Sequence, residues 1–125
     1  MTYNNKSVFV EELKTRIFKW VVRVSNYCEN LPTSSTLRII NYQLIKSSTS
    51  TGANHRAASR ARSRNEFFAK ISIAVEEADE SLYWLELIKA KKYNINTTEL
   101  MWLIKEADEI TRILGAARYK ARKRE

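Results

Sequence analysis

A chain of 125 residues, 44% of them hydrophobic, has the size of one domain with a real core and is too short for two ordinary ones. Two glycines and one proline speak against turn-rich sheets and for long helices, and the single cysteine, Cys28, rules out an intrachain disulfide. The balance of 22 Lys and Arg against 14 Asp and Glu, a net charge of +8, points to polyanionic partners.

Apolar residues at Val10, Leu13, Ile17, Trp20, Val21, Val24, Tyr27, Cys28 and Leu31 recur at three- and four-residue steps, which predicts an amphipathic helix over 6–30 that Pro32 ends. The stretch "PTSS" offers N-cap hydroxyls to a second helix over 35–61. Its stripe of Leu37, Ile40, Leu44 and Ile45 fades into the small residues Ser47, Ser48, Thr51, Gly52 and Ala53. Small residues let one helix approach its neighbours closely, with large rings such as Trp20, Tyr83 and Trp84 filling the space alongside; a kink or notch at Gly52 is the alternative.

Ser63 followed by Glu66 forms a capping box just before Phe67, Ile71, Ala74, Ala78, Leu82, Leu85 and Ile88, so a third helix is expected over 64–91. Asn96 with Glu99 repeats the pattern ahead of Leu100, Leu103, Ile104, Ala107, Ile110 and Leu114, giving a fourth over 97–121. Short connections force each helix back along its predecessor. The expected fold is all-α, an up-down-up-down antiparallel four-helix bundle forming a single domain over 1–125, with 118–125 a basic helix end or tail. Its core should hold Leu13, Ile17, Trp20, Val24, Leu44, Ile71, Ala78, Leu82, Leu85, Leu103, Ala107, Ile110 and Leu114.

No run of apolar residues is long enough for a membrane span, and Glu11 and Glu12 interrupt any secretory-signal layout. A reducing, cytoplasmic location is expected, with Cys28 a small buried hydrophobe. Enzyme readings fare poorly. A di-metal bundle needs Glu-x-x-His pairs, whereas the lone His55 has Gly52 at the glutamate position, and no cofactor or metal is expected. His55 is read as a hydrogen-bonded or exposed helix residue. The acidic cluster Glu76, Glu77, Asp79 and Glu80 is read as solvated and ion-paired, with Lys46 near Asp79 and Arg38 near Glu86.

The bundle topology concentrates the charge. The start of helix 1, the end of helix 2, the start of helix 3 and the end of helix 4 share one pole, and residues 1–10, 55–70 and 117–125 carry eleven Lys and Arg against only Glu66 and Glu125. Besides Lys6, these are Arg56, Arg60, Arg62, Arg64, Lys70, Arg118, Lys120, Arg122, Lys123 and Arg124. They are the candidate nucleic-acid-binding residues, since guanidinium forks suit phosphates and the start of helix 3 favours anions. Phe18, Val22, Phe68, Tyr83, Trp84 and Leu87 fall off the main stripes or add apolar bulk beside them, making them the candidate interface of a self-associating chain.

The run "TGANHRAASRARSRNEFFAKISIAVEEADESLYWLELI" closely resembles the bacterial four-helix-bundle proteins first noticed as reading frames within intervening sequences of large-subunit ribosomal RNA genes. Gly52, Ala53, Asn54, Arg62, Ser63, Phe67, Ala78, Glu80, Tyr83, Trp84 and Leu85 carry the likeness. It implies a homopentamer with no established enzymatic activity. Similar proteins accompany diversity-generating retroelements, where they bind nucleic acid and a reverse transcriptase through a basic barrel. Members commonly carry an acidic residue where this chain has Ala57, which makes the segment here more basic. Two function classes follow: a nucleic-acid-binding oligomer with RNA or DNA as partner, or an interaction scaffold for an operon-encoded protein.

Overall fold

The apolar stripes become four helices in a computed structural model that describes the backbone of residues 2–123 and the side chains of residues 8–122. They are α1 (Thr2–Glu29), α2 (Ser35–Ser59), α3 (Arg64–Ala90) and α4 (Thr97–Lys123). Each packs on the next and α4 returns to α1, while among the described residues neither diagonal pair brings its backbones so close, so the bundle is up-down-up-down. Among the described residues there is no strand, and no helix is long and apolar enough to cross a membrane.

The caps explain where the helices begin. Ser34 and Ser63 both hold the extended N-cap backbone, accepting from the amides of Leu37 at 3.0 Å and Glu66 at 3.1 Å, each of which satisfies one orphan helix donor. Asn96 Oδ1 accepts from the Glu99 amide at 3.3 Å. The α3–α4 connection is tight: Lys92, Asn94 and Asn96 all take positive φ, a region asparagine tolerates better than most residues. The hydroxyl of Tyr27 anchors this connection by donating to the Ile95 carbonyl at 2.9 Å.

The core runs the length of the bundle, and Trp20, Val24, Leu44, Ala78, Leu85, Leu103, Ala107, Ile110 and Leu114 are fully buried in it. The buried indole of Trp20 satisfies its N–H on the Leu103 carbonyl at 3.2 Å. Two expected core members, Leu13 and Leu82, are only partly buried. Ser81 is buried instead: its hydroxyl meets Ser47 Oγ at 2.8 Å and donates to the Glu77 carbonyl at 2.9 Å, so it enters the core with its polar atom satisfied.

Small residues on α2 do allow close packing. Ser47, Ser48 and Thr51 are buried, with hydroxyls returned to carbonyls of their own helix. α2 runs unbroken through Gly52, where an added Cβ would stand 3.3 Å from Val21 Cγ2 and 3.9 Å from Ile17 Cγ2. The glycine serves the approach of α1 without interrupting the helix. Of the rings expected beside this seam only Trp20 is fully enclosed; Trp84 is half-buried and Tyr83 is exposed. The expected pairs Lys46 with Asp79 and Arg38 with Glu86 are absent among the described residues. Hydrogen-bonded Ser47 and Ser81 set the α2/α3 register, and the 100° step per residue then turns these cations and carboxylates onto different outer flanks.

Candidate nucleic-acid interface

Topology alone brings three chain segments to one end of the bundle. α2 closes there, with Arg56 exposed in its last turn and the exposed Arg60 as its C-cap. The Arg60 amide donates to the Ala57 carbonyl and the Ala61 amide to the Ala58 carbonyl, both at 3.1 Å, which turns the chain toward α3 within four residues. Arg62 in this junction has a side chain 90% exposed, and its guanidinium lies 3.9 Å from Glu66. Arg64 is exposed and Lys70 half-buried on the first turns of α3. The end of α4 returns to the same place, as the Arg118 guanidinium 5.8 Å from the Phe68 ring centroid shows, within the range of a cation–π contact. Lys120 and Arg122 are exposed on the continuing helix. The side chains of Lys6 and Lys123, and all of Arg124, lie outside the described residues.

Guanidinium groups stay charged at any ordinary pH, and here they stand on ordered helix ends. Glu66 is the acidic residue in the first turn of α3, so the positive field is barely offset. His55 lies beneath this end, buried at 6% exposure, and no hydrogen bond to its ring forms among the described residues. It belongs to the core and not to an exposed helix face, because position 55 continues the inward stripe of Ser48 and Thr51. Burial, then the nearby charge of Lys14, lowers its pKa below the ordinary value, which keeps the ring neutral.

The candidate interface residues divide. Phe18 is 67% exposed, and Val22 and Tyr83 are also exposed. Phe68, Trp84 and Leu87 are half-buried: Phe68 lies under Arg118, Leu87 packs against the core, and the Trp84 indole donates to Glu80 at 3.2 Å and makes a T-shaped contact with the Tyr83 ring.

One charged feature escaped the reading of single stripes. Arg16 reaches Glu106 at 2.7 Å and Glu109 at 2.6 Å, and Arg23 pairs with Glu99, so α1 and α4 are joined along their edge by ions. Hydrogen bonding to Arg23 holds the Glu99 carboxyl below the usual carboxylate range. The Arg23 guanidinium also lies 3.5 Å from the Trp102 ring centroid, with Lys19 at 5.9 Å. The available signal was spacing, since Arg16 and Arg23, like Glu99 and Glu106, are seven residues apart. An open cleft of about 540 Å³ beside this seam is lined by Glu11, Glu12, Thr15, Arg16, Lys19, Trp102 and Glu106. It is of mixed sign and has no nucleophile in a reactive setting. Among the described residues no group of three or more His, Cys, Asp or Glu side chains is placed to hold a metal ion.

A family model described as 23S rRNA-intervening sequence protein matches residues 12–116, which includes the arginine-rich α2–α3 junction and stops short of the basic end of α4. No curated protein matches the chain. A solved structure from Bacteroides thetaiotaomicron VPI-5482, a protein of unknown function from the S23 ribosomal protein family, is similar with a TM-score of 0.77 and 31% identity, covering 88% of this chain and 97% of that one.

Proposed function

Because this chain belongs to the 23S rRNA-intervening sequence protein family, we propose that it is a cytoplasmic, non-enzymatic homo-oligomer, five copies being the family expectation, that holds nucleic acid, RNA in preference to DNA, on its basic pole. The observation that carries the reading is the gathering of exposed Arg56, Arg60, Arg62, Lys120 and Arg122 from three chain segments at one end of a rigid bundle. In a cyclic assembly every pole points the same way, so the cations of each copy join one ring. Phosphates are the natural ligand of such a ring, and base-specific recognition is not expected of it.

Binding should therefore be weakly sequence-selective and should fall steeply with salt, with a log–log slope of about −0.7 to −0.9 for each phosphate neutralised. Fluorescence anisotropy with structured RNA and with single- and double-stranded DNA measures this directly. Replacing Arg56, Arg60, Arg62 and Arg122 by Gln should weaken binding and flatten the slope while helicity and assembly mass stay as they were. Weakly selective binders have Kd values of about 10⁻⁴–10⁻⁶ M at physiological salt and bind more tightly at low salt, so no binding of the intact protein at low salt and about 50 micromolar would overturn the proposal. The pole would then be left as a docking surface for an acidic protein partner.

A further inference from the structure

Away from the basic pole, and apart from Ile39 of α2 and Ile73 of α3, which are 61% and 40% exposed, the large exposed apolar side chains lie on two opposite sides of the bundle, with charges of different sign beside Tyr42 and Tyr83. Because α1 neighbours α2 and α4 and lies diagonally across from α3, the side formed by α1 and α2 faces away from the side formed by α3 and α4. On the first side stand Phe18 and Val22 of α1 and Tyr42 of α2, which are 67%, 42% and 64% exposed. Phe18 and Val22 flank Val21, whose methyl marks the edge of α1 that leans on α2 at Gly52. Arg38 and Lys46, one turn before and after Tyr42, are exposed beside it. On the opposite side stand Tyr83 of α3 and Met101 of α4, 57% and 47% exposed, with exposed Glu76, Asp79 and Glu86 around Tyr83. None of Arg38, Lys46, Glu76, Asp79 or Glu86 enters an ion pair among the described residues.

The bundle's own contacts also set these groups at matching heights. Ser47 meets Ser81, so in antiparallel helices Lys46 is level with Leu82 and Tyr42 with Glu86. Gly52 sits beside Ile17 and Val21, which puts Phe18 and Val22 within about one turn of Glu76 and Asp79. Two copies standing side by side with parallel axes thus present cations at the height of carboxylates, and apolar groups beside both.

We propose that the α1/α2 side of one copy docks on the α3/α4 side of the next. Phe18, Val22 and Tyr42 meet Tyr83 and Met101, and Arg38 and Lys46 face Glu76, Asp79 and Glu86. This rests on the homo-oligomer of the preceding subsection and adds the pair of surfaces that builds it. The two surfaces differ, so the contact is heterologous and repeats head to tail. Opposite charges fix the order of docking and disfavour joining like sides.

Charge reversal tests the pairing. Light scattering on the full chain at micromolar concentration should give a multiple of 14.6 kDa. The double variant Arg38→Glu with Lys46→Glu and the double variant Glu76→Lys with Asp79→Lys should each weaken association by about tenfold or more, because like charges then face each other. Combining all four changes in one chain restores complementarity and should restore the assembly mass, a recovery that unfolding cannot produce. If both double variants keep the parental mass, or the fourfold variant stays dissociated, the surfaces are wrong while the oligomer stands. A parental protein of monomer mass overturns both the surfaces and the oligomer, and leaves nucleic-acid binding by the pole to be judged by its own titration.

Discussion

Placing alanine at each of the two glycines isolates the packing of α1 on α2. Gly52 and Gly115 both lie inside helices, so either substitution gains about 1 kcal/mol of helix propensity. At Gly115 nothing lies within 4 Å of the new Cβ, and that gain is the whole effect. At Gly52 the Cβ meets Val21 Cγ2 at 3.3 Å. A helical valine is nearly confined to one χ1 rotamer, so the methyl has nowhere to turn and α1 must move away by a few tenths of an ångström. Overpacking of this kind costs about 1–3 kcal/mol. The propensity gain is common to both variants and cancels, so Gly115→Ala should exceed Gly52→Ala in stability by about 1–3 kcal/mol. In thermal midpoint that is roughly 4–12 °C for a domain of this size. Urea unfolding followed by circular dichroism, at one protein concentration because self-association adds stability, measures the difference. Equal stabilisation by the two alanines would refute the close approach at Gly52.

The core makes a second comparison: Leu85→Ala, at a fully buried site, should lose about 2–5 kcal/mol, whereas Leu82→Ala, at a partly buried one, should lose visibly less in the same assay. Burial pushes the Cys28 thiol up to about 12, so at neutral pH a thiol reagent should leave the folded protein unmodified and react at once when urea is added; rapid labelling of the native protein contradicts this. His55 is held neutral by burial, its pKa below the usual 6.5. Its contribution to stability is complete above 6.5 and shrinks as pH falls below that value, because the unfolded chain takes up the proton first. His55→Gln should accordingly flatten the fall in thermal midpoint between neutral and mildly acidic pH.

The helices were legible because their signals are local. Ser63 caps α3 where the capping box placed it, and the start of α2 falls on the "PTSS" hydroxyls. The basic pole was equally legible, since up-down-up-down topology suffices to bring Arg118 over Phe68. Other features needed tertiary information. Leu82 looks like the better core residue beside Ser81, yet Ser81 is the one enclosed, because the hydroxyl that penalises it in a sequence finds Ser47 across the helix pair. His55 is a parallel case: its burial depends on how the other helices pack over α2, which no local pattern encodes. Height along the antiparallel pair brings the carboxylates of α3 level with the cations of α2, and height says nothing about which flank of a helix a side chain occupies.

The ion-paired edge between α1 and α4 bears on which alignments of the two helices are allowed. Apolar layers are tolerant of sliding, for a leucine that moves one turn along a greasy groove still finds carbon around it. Arg16 opposite Glu106 and Arg23 opposite Glu99 share a single spacing of seven residues, so both pairs close together or open together. A slip of α1 by one turn would break the Arg16–Glu106 and Arg23–Glu99 pairs at once and leave Arg16 at most the more exposed Glu109, and the half-enclosed charges it strands cost more than the intact pairs contribute. The edge thus acts as a vernier on the bundle: it adds little to the depth of the native minimum and raises the neighbouring ones.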